Sequence, residues 1–365
     1  MSSIRAGIVG CGNISGIYFK NLAKFRRTTV TACADIDIER AKSVGAEHGI
    51  PWAGSTDELL KRDDVDVVVN LTIPAAHHSV AKAALEAGKL AYNEKPFSVE
   101  RKQGQELLDL AKKHHLATGC APDTFLGSGL QTCRKLIDSG AIGEPVAFNA
   151  WMLSHGADGW HPNPAFFYER GAGPLFDMGP YYLTALVFLL GPVDSAVAKA
   201  RASFKERVLR HGVNKGSTIP VHTPTHIASA LQMKSGAIGQ LNVSFDVWGG
   251  RVPFIEIYGS EGTLSVPDPN GFGGQIQIKR PENKDWEELP LEYRFPENSR
   301  GLGVLDLAVA HKDKRPARAG GELAFHVLDV MHTILEAAEQ ERSLKVASTV
   351  ERPDPMAIAG SDDDL

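Results

Sequence analysis

Three groups of residues in this chain have the types and spacing to do chemistry. The first is Gly10-Cys-Gly12-Asn13-Ile14-Ser15-Gly16, which follows a strand-like stretch and opens a helix. Glycines at 10 and 12 permit the tight turn and close backbone approach that a dinucleotide pyrophosphate needs, with helix N–H groups facing the phosphate. Ser15 stands where the fingerprint has its third glycine, and taken alone the segment fits an ordinary strand-to-helix turn equally well. Asp35 closes the following strand, where a carboxylate accepts hydrogen bonds from an adenosine ribose. Its alternative role is to cap the next helix, which Asp37 can do as well. A carboxylate at 35 repels a 2′-phosphate, and Ile36 is apolar instead of Arg or Lys, so the pattern predicts NAD in preference to NADP.

The second group is Asn93-Glu94-Lys95-Pro96, at the end of another strand. With a nucleotide lying along the strand ends, Lys95 is placed to reach the nicotinamide, where an ammonium holds a substrate hydroxyl and stabilises a developing alkoxide. Without that context Lys-Pro is a common loop dipeptide. Thr72-Ile73-Pro74 ends a neighbouring strand on the same carboxyl edge and is predicted to border the nicotinamide half. The third group is Gly171-Ala-Gly-Pro-Leu-Phe-Asp177-Met-Gly179-Pro180-Tyr181-Tyr182, entering an apolar helix. If the stretch is helical, Asp177 and Tyr181 are four apart and share a face. The competing reading makes Asp177 an N-cap and Tyr181 a core residue.

His77 and His78 are adjacent and point apart. One of them satisfying a backbone group is the better expectation than a metal site, because no third ligand stands at useful spacing. The segment Trp151–Glu169 mixes hydrogen-bonding and aromatic groups, among them His155, Asp158, Trp160, His161, Asn163 and Tyr168. A sugar site needs that mixture, since polar groups pair with hydroxyls while a ring covers a C–H face. A surface loop stiffened by Pro162 and Pro164 is the alternative. Asp123 and Thr124 are further pocket candidates.

These residues need a scaffold, and the chain supplies one in alternating elements. Ile4–Val9, Thr29–Ala34, Val65–Leu71, Leu90–Tyr92 and Leu116–Gly119 read as strands separated by stretches with helical apolar spacing, such as 75–87 and 99–114. Strands joined by helices run parallel, which predicts a doubly wound α/β domain over residues 1–122. After one helix over 129–138, strand-like segments at 145–153, 193–204, 226–233, 237–248, 253–258 and 262–266 predict a second domain over 123–350. It is built on a large, mostly antiparallel open sheet with helices at 181–190 and 322–341. The tail, 351–365, is broken by prolines and ends in Asp362-Asp-Asp-Asp364-Leu, so its end is expected to fray.

Composition narrows the classes. The 365 residues carry 39 Lys plus Arg against 44 Asp plus Glu, a formal charge of −5, and no net basic field for a nucleic-acid backbone. With 43% hydrophobic and 23% charged residues the chain is neither disordered nor fibrous. Its apolar run at 183–190 is far short of the roughly 20 residues that span a bilayer. Nothing at the amino terminus has the pattern of a secretory signal, which predicts a cytoplasmic protein. Cys11, Cys33, Cys120 and Cys133 are far apart, indicating neither disulfides nor zinc.

In this order and at these intervals, the motifs resemble the glucose-fructose oxidoreductase and inositol dehydrogenase family, abbreviated Gfo/Idh/MocA. The resemblance is carried by Gly10-Cys-Gly12-Asn-Ile14, Asn70-Leu-Thr-Ile-Pro74 with His78, Ala84-Leu-Glu-Ala-Gly88-Lys, Glu94-Lys95-Pro96 and Asp177-x-Gly179-x-Tyr181, and covers nearly the whole chain. It implies a Rossmann domain joined to an α/β domain whose open sheet forms a homodimer or homotetramer interface. It also implies oxidation of a sugar or polyol hydroxyl by hydride transfer to nicotinamide. Lys95 matches the family's catalytic lysine and Asp177 the aspartate of its D-x-G-x-H pattern. Tyr181 departs from that pattern: family dehydrogenases have His there as proton acceptor, and a phenol has an ordinary pKa of about 10. The Trp160–Pro164 and Asp177–Tyr182 combination looks most like bacterial aldose dehydrogenases. The family also includes hydrolases that retain NAD through transient oxidation, and nucleotide sensors; Lys95 and Asp177 argue against the sensor alone.

Overall fold

The computed structural model describes residues 3–358; the acidic end from Asp362 lies outside the described residues. The chain divides into two units. The first holds the residues up to Ser128, Glu292–Leu328 and the segment from Pro353, and the second holds Gly129–Leu291 and Asp329–Arg352.

The first unit begins with β1 (Ile4–Val9), α1 (Ser15–Leu22), β2 (Thr28–Ala34), α2 (Ile38–Glu47), β3 (Trp52–Gly54), α3 (Thr56–Leu60), β4 (Val67–Asn70), α4 (Pro74–Glu86), β5 (Leu90–Asn93), α5 (Arg101–Lys113) and β6 (Thr118–Cys120). The six strands pair in the order β3-β2-β1-β4-β5-β6, parallel throughout. That is the doubly wound arrangement anticipated from the strand and helix alternation, with β3 added. Every residue of β4 and β5 is buried, as expected of strands covered on both faces. Asp37 caps α2, accepting from the Arg40 N–H at 3.2 Å, and Ser55 with Glu58 forms a capping box on α3. Because the strands are parallel, Gly10, Asp35, Leu71, Glu94 and Ala121 all follow strand ends at one edge of the sheet.

The second unit opens with α6 (Ser128–Asp138) and β7 (Pro145–Leu153), followed by α7 (Gly173–Asp177), α8 (Gly179–Leu190), β8 (Val193–Arg201), β9 (Glu206–Val208), β10 (Thr218–Pro220), β11 (His226–Met233), β12 (Ile238–Ser244), β13 (Ile255–Gly259), β14 (Thr263–Val266), β15 (Ile276–Lys279) and β16 (Glu287–Leu289). The chain then returns to the first unit for α9 (Leu302–Asp313) and the start of α10 (Gly321–Gln340), and the rest of α10 and β17 (Leu344–Lys345) belong to the second. Nine strands form one sheet in the order β16-β15-β14-β13-β7-β12-β11-β8-β17. All pairs are antiparallel except β7 with β12. Alternate residues of β11 are buried, the mark of a sheet covered on one face. α8 packs on β7 and is buried along its whole length.

One expectation about organisation changes. Residues 123–350 do not form one continuous unit, because α9 packs against β4, β5 and β6 of the first unit. Its Leu302–Ala310 stretch is buried all round, so it lacks the amphipathic stripe by which a surface helix is read. Asp123 anchors it. The buried Asp123 Oδ2 accepts from the N–H groups of Gly301 at 2.8 Å and Gly303 at 2.9 Å, at the start of the helix. The carboxylate expected to line a substrate pocket is thus committed to a helix N-terminus.

Burial pushes the Asp123 carboxyl up to about 6, against the downward pull of the Gly303 N–H and Arg300. A carboxyl raised above its unfolded value binds its proton more tightly when folded. Its contribution to stability therefore rises as pH falls through about 6 towards the unfolded pKa of roughly 4, and diminishes above 6. Unfolding by urea at pH 8 and at pH 5 should show wild type gaining about 1.4 kcal/mol relative to Asp123→Asn over that interval. A pH-independent difference between the two proteins would assign the titration elsewhere.

Candidate active site

At the edge of the parallel sheet, β1 is followed by Gly10, with φ of 97°. A Cβ there would lie 2.7 Å from the Leu71 carbonyl carbon and oxygen, so this glycine is required by the adjoining strand as well as by the turn. A Cβ at Gly12 would instead meet nothing within 4 Å: the backbone there faces open space in front of α1. Ile14 precedes α1 without capping it, leaving the first-turn N–H groups free of any side-chain cap. Ser15, in place of the third glycine, is buried and donates its hydroxyl to the Gly12 carbonyl at 2.7 Å, closing the loop on itself. An open cradle of backbone N–H groups suits a pyrophosphate.

Asp35 lies beside this cradle. Its Oδ2 accepts from the Cys11 N–H at 2.8 Å and its Oδ1 from the Asp37 N–H at 2.9 Å, which orients the carboxylate. Capping α2 falls to Asp37, so Asp35 retains lone pairs for a ribose diol. Ile36 is fully exposed. Arg40, which sequence reasoning passed over, places Nη1 3.7 Å from Asp35 Oδ1. Its position one turn into α2 carries no signal in a linear reading.

The loops after β4 and β5 are tied together by buried side chains. Asn70 Nδ2 donates to the His77 carbonyl at 3.0 Å and to Asn93 Oδ1 at 2.9 Å, while its Oδ1 accepts from the Thr72 hydroxyl at 2.6 Å. Asn93 Nδ2 donates to the Phe97 carbonyl at 3.0 Å. Glu94 Oε1 accepts from the Tyr18 hydroxyl at 2.8 Å and its Oε2 from the Lys95 N–H at 3.0 Å. Both Glu94 oxygens are therefore engaged in holding the half-buried Lys95 in place. Ile73 is exposed and Pro74 opens α4.

Of the two adjacent histidines, the structure brings His77 to this edge, and not His78, which the resemblance groups with the Asn70–Pro74 loop. Successive helical residues diverge by about 100°, so only one can face the strand ends. His78 Nε2 lies 3.0 Å from Glu106 of α5, whose other oxygen accepts from Lys82. Among the described residues, no group of three or more His, Cys, Asp or Glu is placed to hold a metal ion.

In the second unit, Asp177 and Tyr181 do not share one continuous helix. Pro180 has no N–H to extend the α7 ladder, so α7 stops at Asp177 and α8 restarts at Gly179, with Tyr181 N–H bonding to the Met178 carbonyl at 3.1 Å. Asp177 is not the N-cap of α8 either; Met178 occupies that position. Tyr181 is buried and Asp177 half-buried.

The segment 154–168 is held from beneath by a charge network invisible in the sequence. Asp158 Oδ1 accepts from Tyr168 OH at 2.6 Å and Arg207 Nη2 at 2.9 Å, and its Oδ2 from Arg210 Nε at 3.0 Å. Arg207 reaches on to Asp246 at 2.9 Å and to the His155 carbonyl at 2.6 Å. Burial alone would raise the Asp158 carboxyl, but the Tyr168 hydroxyl and the two guanidinium groups outweigh it and hold it below the usual carboxylate range. On this base His155 stacks on Trp248, with ring centroids 3.5 Å apart, and Arg210 lies over the same indole. Burial and the charges of Arg207 and Arg210 lower the His155 pKa, so its ring is neutral at neutral pH. His161 packs edge-on to Trp160, Phe166 and Phe167, and its Nδ1 accepts from the Asn163 N–H at 3.0 Å. Trp160 is 60% exposed. Four of the five expected sugar-contacting residues thus sit on this segment; Asp123 does not.

A parallel six-stranded sheet with an open phosphate cradle and an oriented carboxylate is a dinucleotide-binding domain, and the chain is an NAD-binding oxidoreductase. Residues 4–120 match the model described as oxidoreductase family, NAD-binding Rossmann fold, and residues 130–265 match the GFO/IDH/MocA C-terminal domain; the chain belongs to the Gfo/Idh/MocA family. It is 27% identical to dTDP-3,4-didehydro-2,6-dideoxy-alpha-D-glucose 3-reductase of Streptomyces violaceoruber, over 79% of this chain and 81% of that protein. It is 25% identical to 1,5-anhydro-D-fructose reductase of Ensifer adhaerens, over 79% and 83%. In fold it is similar to levoglucosan dehydrogenase solved with NADH and L-sorbose: TM-score 0.82, 18% identity, 95% of this chain and 100% of that one.

The ion network makes Asp158 a sensitive position. Asp158→Ala leaves Arg207 buried and short of its main partner, and breaking a buried pair from one side costs about 3–5 kcal/mol. Thermal unfolding should show a Tm lower by several degrees, whereas Asn163→Ala in the same segment should leave Tm nearly unchanged. Equal effects would show that the network does not support the segment.

Proposed function

We propose that this protein oxidises a hydroxyl of a sugar or polyol, or reduces the corresponding carbonyl, with NAD as the preferred cofactor. The observation that carries this reading is the oriented Lys95 loop at the edge of a sheet that also presents the Gly12 cradle and Asp35. When bound, NAD supplies the hydride acceptor at C4 of its nicotinamide. The cradle residues Gly10, Gly12, Asn13 and Ile14 hold the pyrophosphate, Asp35 and Ile36 border the adenosine ribose, and Thr72, Ile73 and Pro74 border the nicotinamide. Lys95 donates to the substrate oxygen and stabilises the negative charge that grows on it. Asp177 and Tyr181 are the candidates to take the hydroxyl proton. His155, Trp160, His161 and Asn163 supply the rings and polar groups that suit a polyhydroxylated ligand.

The finest form of this proposal is an aldose 1-dehydrogenase, with D-apiose dehydrogenase the nearest named activity, assembled as a homodimer or homotetramer through the outer face of the nine-stranded sheet. Trp151 of β7 and its register partner Asn242 of β12 lie on that face, with the more exposed Ile238 beyond. The names of the sugar reductases among the relatives support the substrate class. Arg40 beside Asp35 leaves a guanidinium near the ribose, so the preference for NAD rests on the Asp35 charge.

A panel of aldoses and polyols, followed by NADH absorbance with NAD and then NADP, tests the assignment. Net NADH formation on at least one sugar is expected, with higher kcat/KM for NAD; release of aglycone from a glycoside without NADH would instead establish the NAD-retaining hydrolase. On the best substrate Lys95→Ala should lower kcat by on the order of 10²–10³ with NAD affinity nearly kept. Normal turnover in that variant would reduce Lys95 to a loop residue. Tyr181→Phe keeps the ring and removes the titrating hydroxyl, so kcat for oxidation should fall and the rise of kcat with pH that deprotonation of the phenol sets should vanish. Normal turnover in Tyr181→Phe together with an inactive Asp177→Asn would give the proton to the carboxylate.

A further inference from the structure

We propose that His77 is the positioning residue that holds the Lys95 loop in register with the Thr72 loop. This rests on the catalytic reading of Lys95 above. His77 belongs to α4, is fully buried, and points its ring into the gap between the two loops that follow β4 and β5. Nδ1 lies 2.7 Å from the Pro96 carbonyl and Nε2 3.0 Å from the Thr72 carbonyl. One planar ring therefore spans from the residue after Lys95 to the residue before Ile73. The backbone carbonyl of His77 is itself held by Asn70 Nδ2 at 3.0 Å, and Asn70 is joined to Asn93 at 2.9 Å, so the ring completes a closed circuit of buried contacts through both strand ends.

The geometry is particular to histidine. A neutral imidazole carries one N–H and donates to one carbonyl; both contacts are hydrogen bonds only when the ring holds two protons. The charged groups facing it are Glu94, which favours the second proton, and Lys95, which opposes it; burial opposes it more strongly. No phenyl or aliphatic side chain of similar size can donate to either carbonyl, and an amide side chain carries both its N–H groups on one nitrogen and not at two separate points of a ring. Within the Lys95 loop, Glu94 N–H bonds to the Asn70 carbonyl at 2.8 Å, close to the strand, whereas Pro96 has no N–H with which to tie itself down. The ring supplies a tie at the residue after the lysine.

Hydrogen exchange on the full chain with saturating NADH, in wild type, His77→Phe and His77→Gln, tests this. In His77→Phe, peptides covering 71–76 and 93–99 should lose protection together by about tenfold or more, while β1 and α5 exchange as in wild type. The NADH dissociation constant should stay within about threefold, and kcat on the best sugar of the panel should fall by on the order of 10², with KM little changed, because the loss is of alignment and not of binding. His77→Gln, which keeps a donor, should recover part of both the protection and the turnover, and serves by the same criteria should the Phe variant not fold. Loosening of only one loop, uniform loss of protection across the first unit, or unchanged kcat in a protein whose Lys95→Ala variant is inactive would overturn the proposal. Normal turnover in Lys95→Ala would refute the catalytic reading alone, since the paired loss of exchange protection is measured without any substrate.

Discussion

Parallel pairing in the first unit forces every strand to end at the same edge, and the rest of the chemistry depends on that constraint. Val9 is level with both Ala34 and Asn70, and Asn70 with Asn93, so the Gly10 turn, Asp35, Thr72 and the Lys95 loop emerge side by side. Loops leaving an open α/β edge have no strand neighbour to order them. Here the ordering comes from two buried asparagines, each with its amide hydrogen-bonded, and from Glu94, whose oxygens go to Tyr18 and the Lys95 N–H. An unsatisfied buried amide group costs about 1–3 kcal/mol, so the network tolerates only one arrangement of the loops.

The second unit meets a different problem. A segment that presents Trp160, Phe166, His155 and His161 must keep apolar rings from collapsing inward. It does so with charge: Arg207 and Asp158 are both buried, and their fixed geometry leaves the segment few alternatives. Such a network is not a cheap source of stability, because desolvation of the ions offsets much of the Coulomb attraction. Its use is to hold a shape. Arginine suits the task, since its planar fork binds Asp158, Asp246 and the His155 carbonyl at once.

Several elements were legible to within a residue or two. β1, β7 and β11 have the predicted bounds, and α4, α5, α8 and α10 lie where apolar spacing and terminal Gly or Pro place them. β3 is three residues long and α9 has no apolar stripe, so neither has a period to detect. The interruption between Asp177 and Tyr181 is written in the sequence as Pro180, which has no N–H to continue a helix begun before it.

What the sequence determined by itself was the set of local instructions: a glycine turn after a first strand, an acidic residue at the end of a second, a lysine beside proline at the end of another, and a change from alternating elements to sheet. These are readable because turn chemistry and apolar periodicity act over a few residues. Tertiary structure alone decided which of two adjacent histidines faces the sheet edge, that Asp123 serves a helix beginning some 180 residues later, and that Asp158 is neutralised by Arg207 and Arg210. Those choices are partnerships between distant polar groups. A side chain's partner is set by what the fold brings within about 3 Å, and no local pattern encodes it.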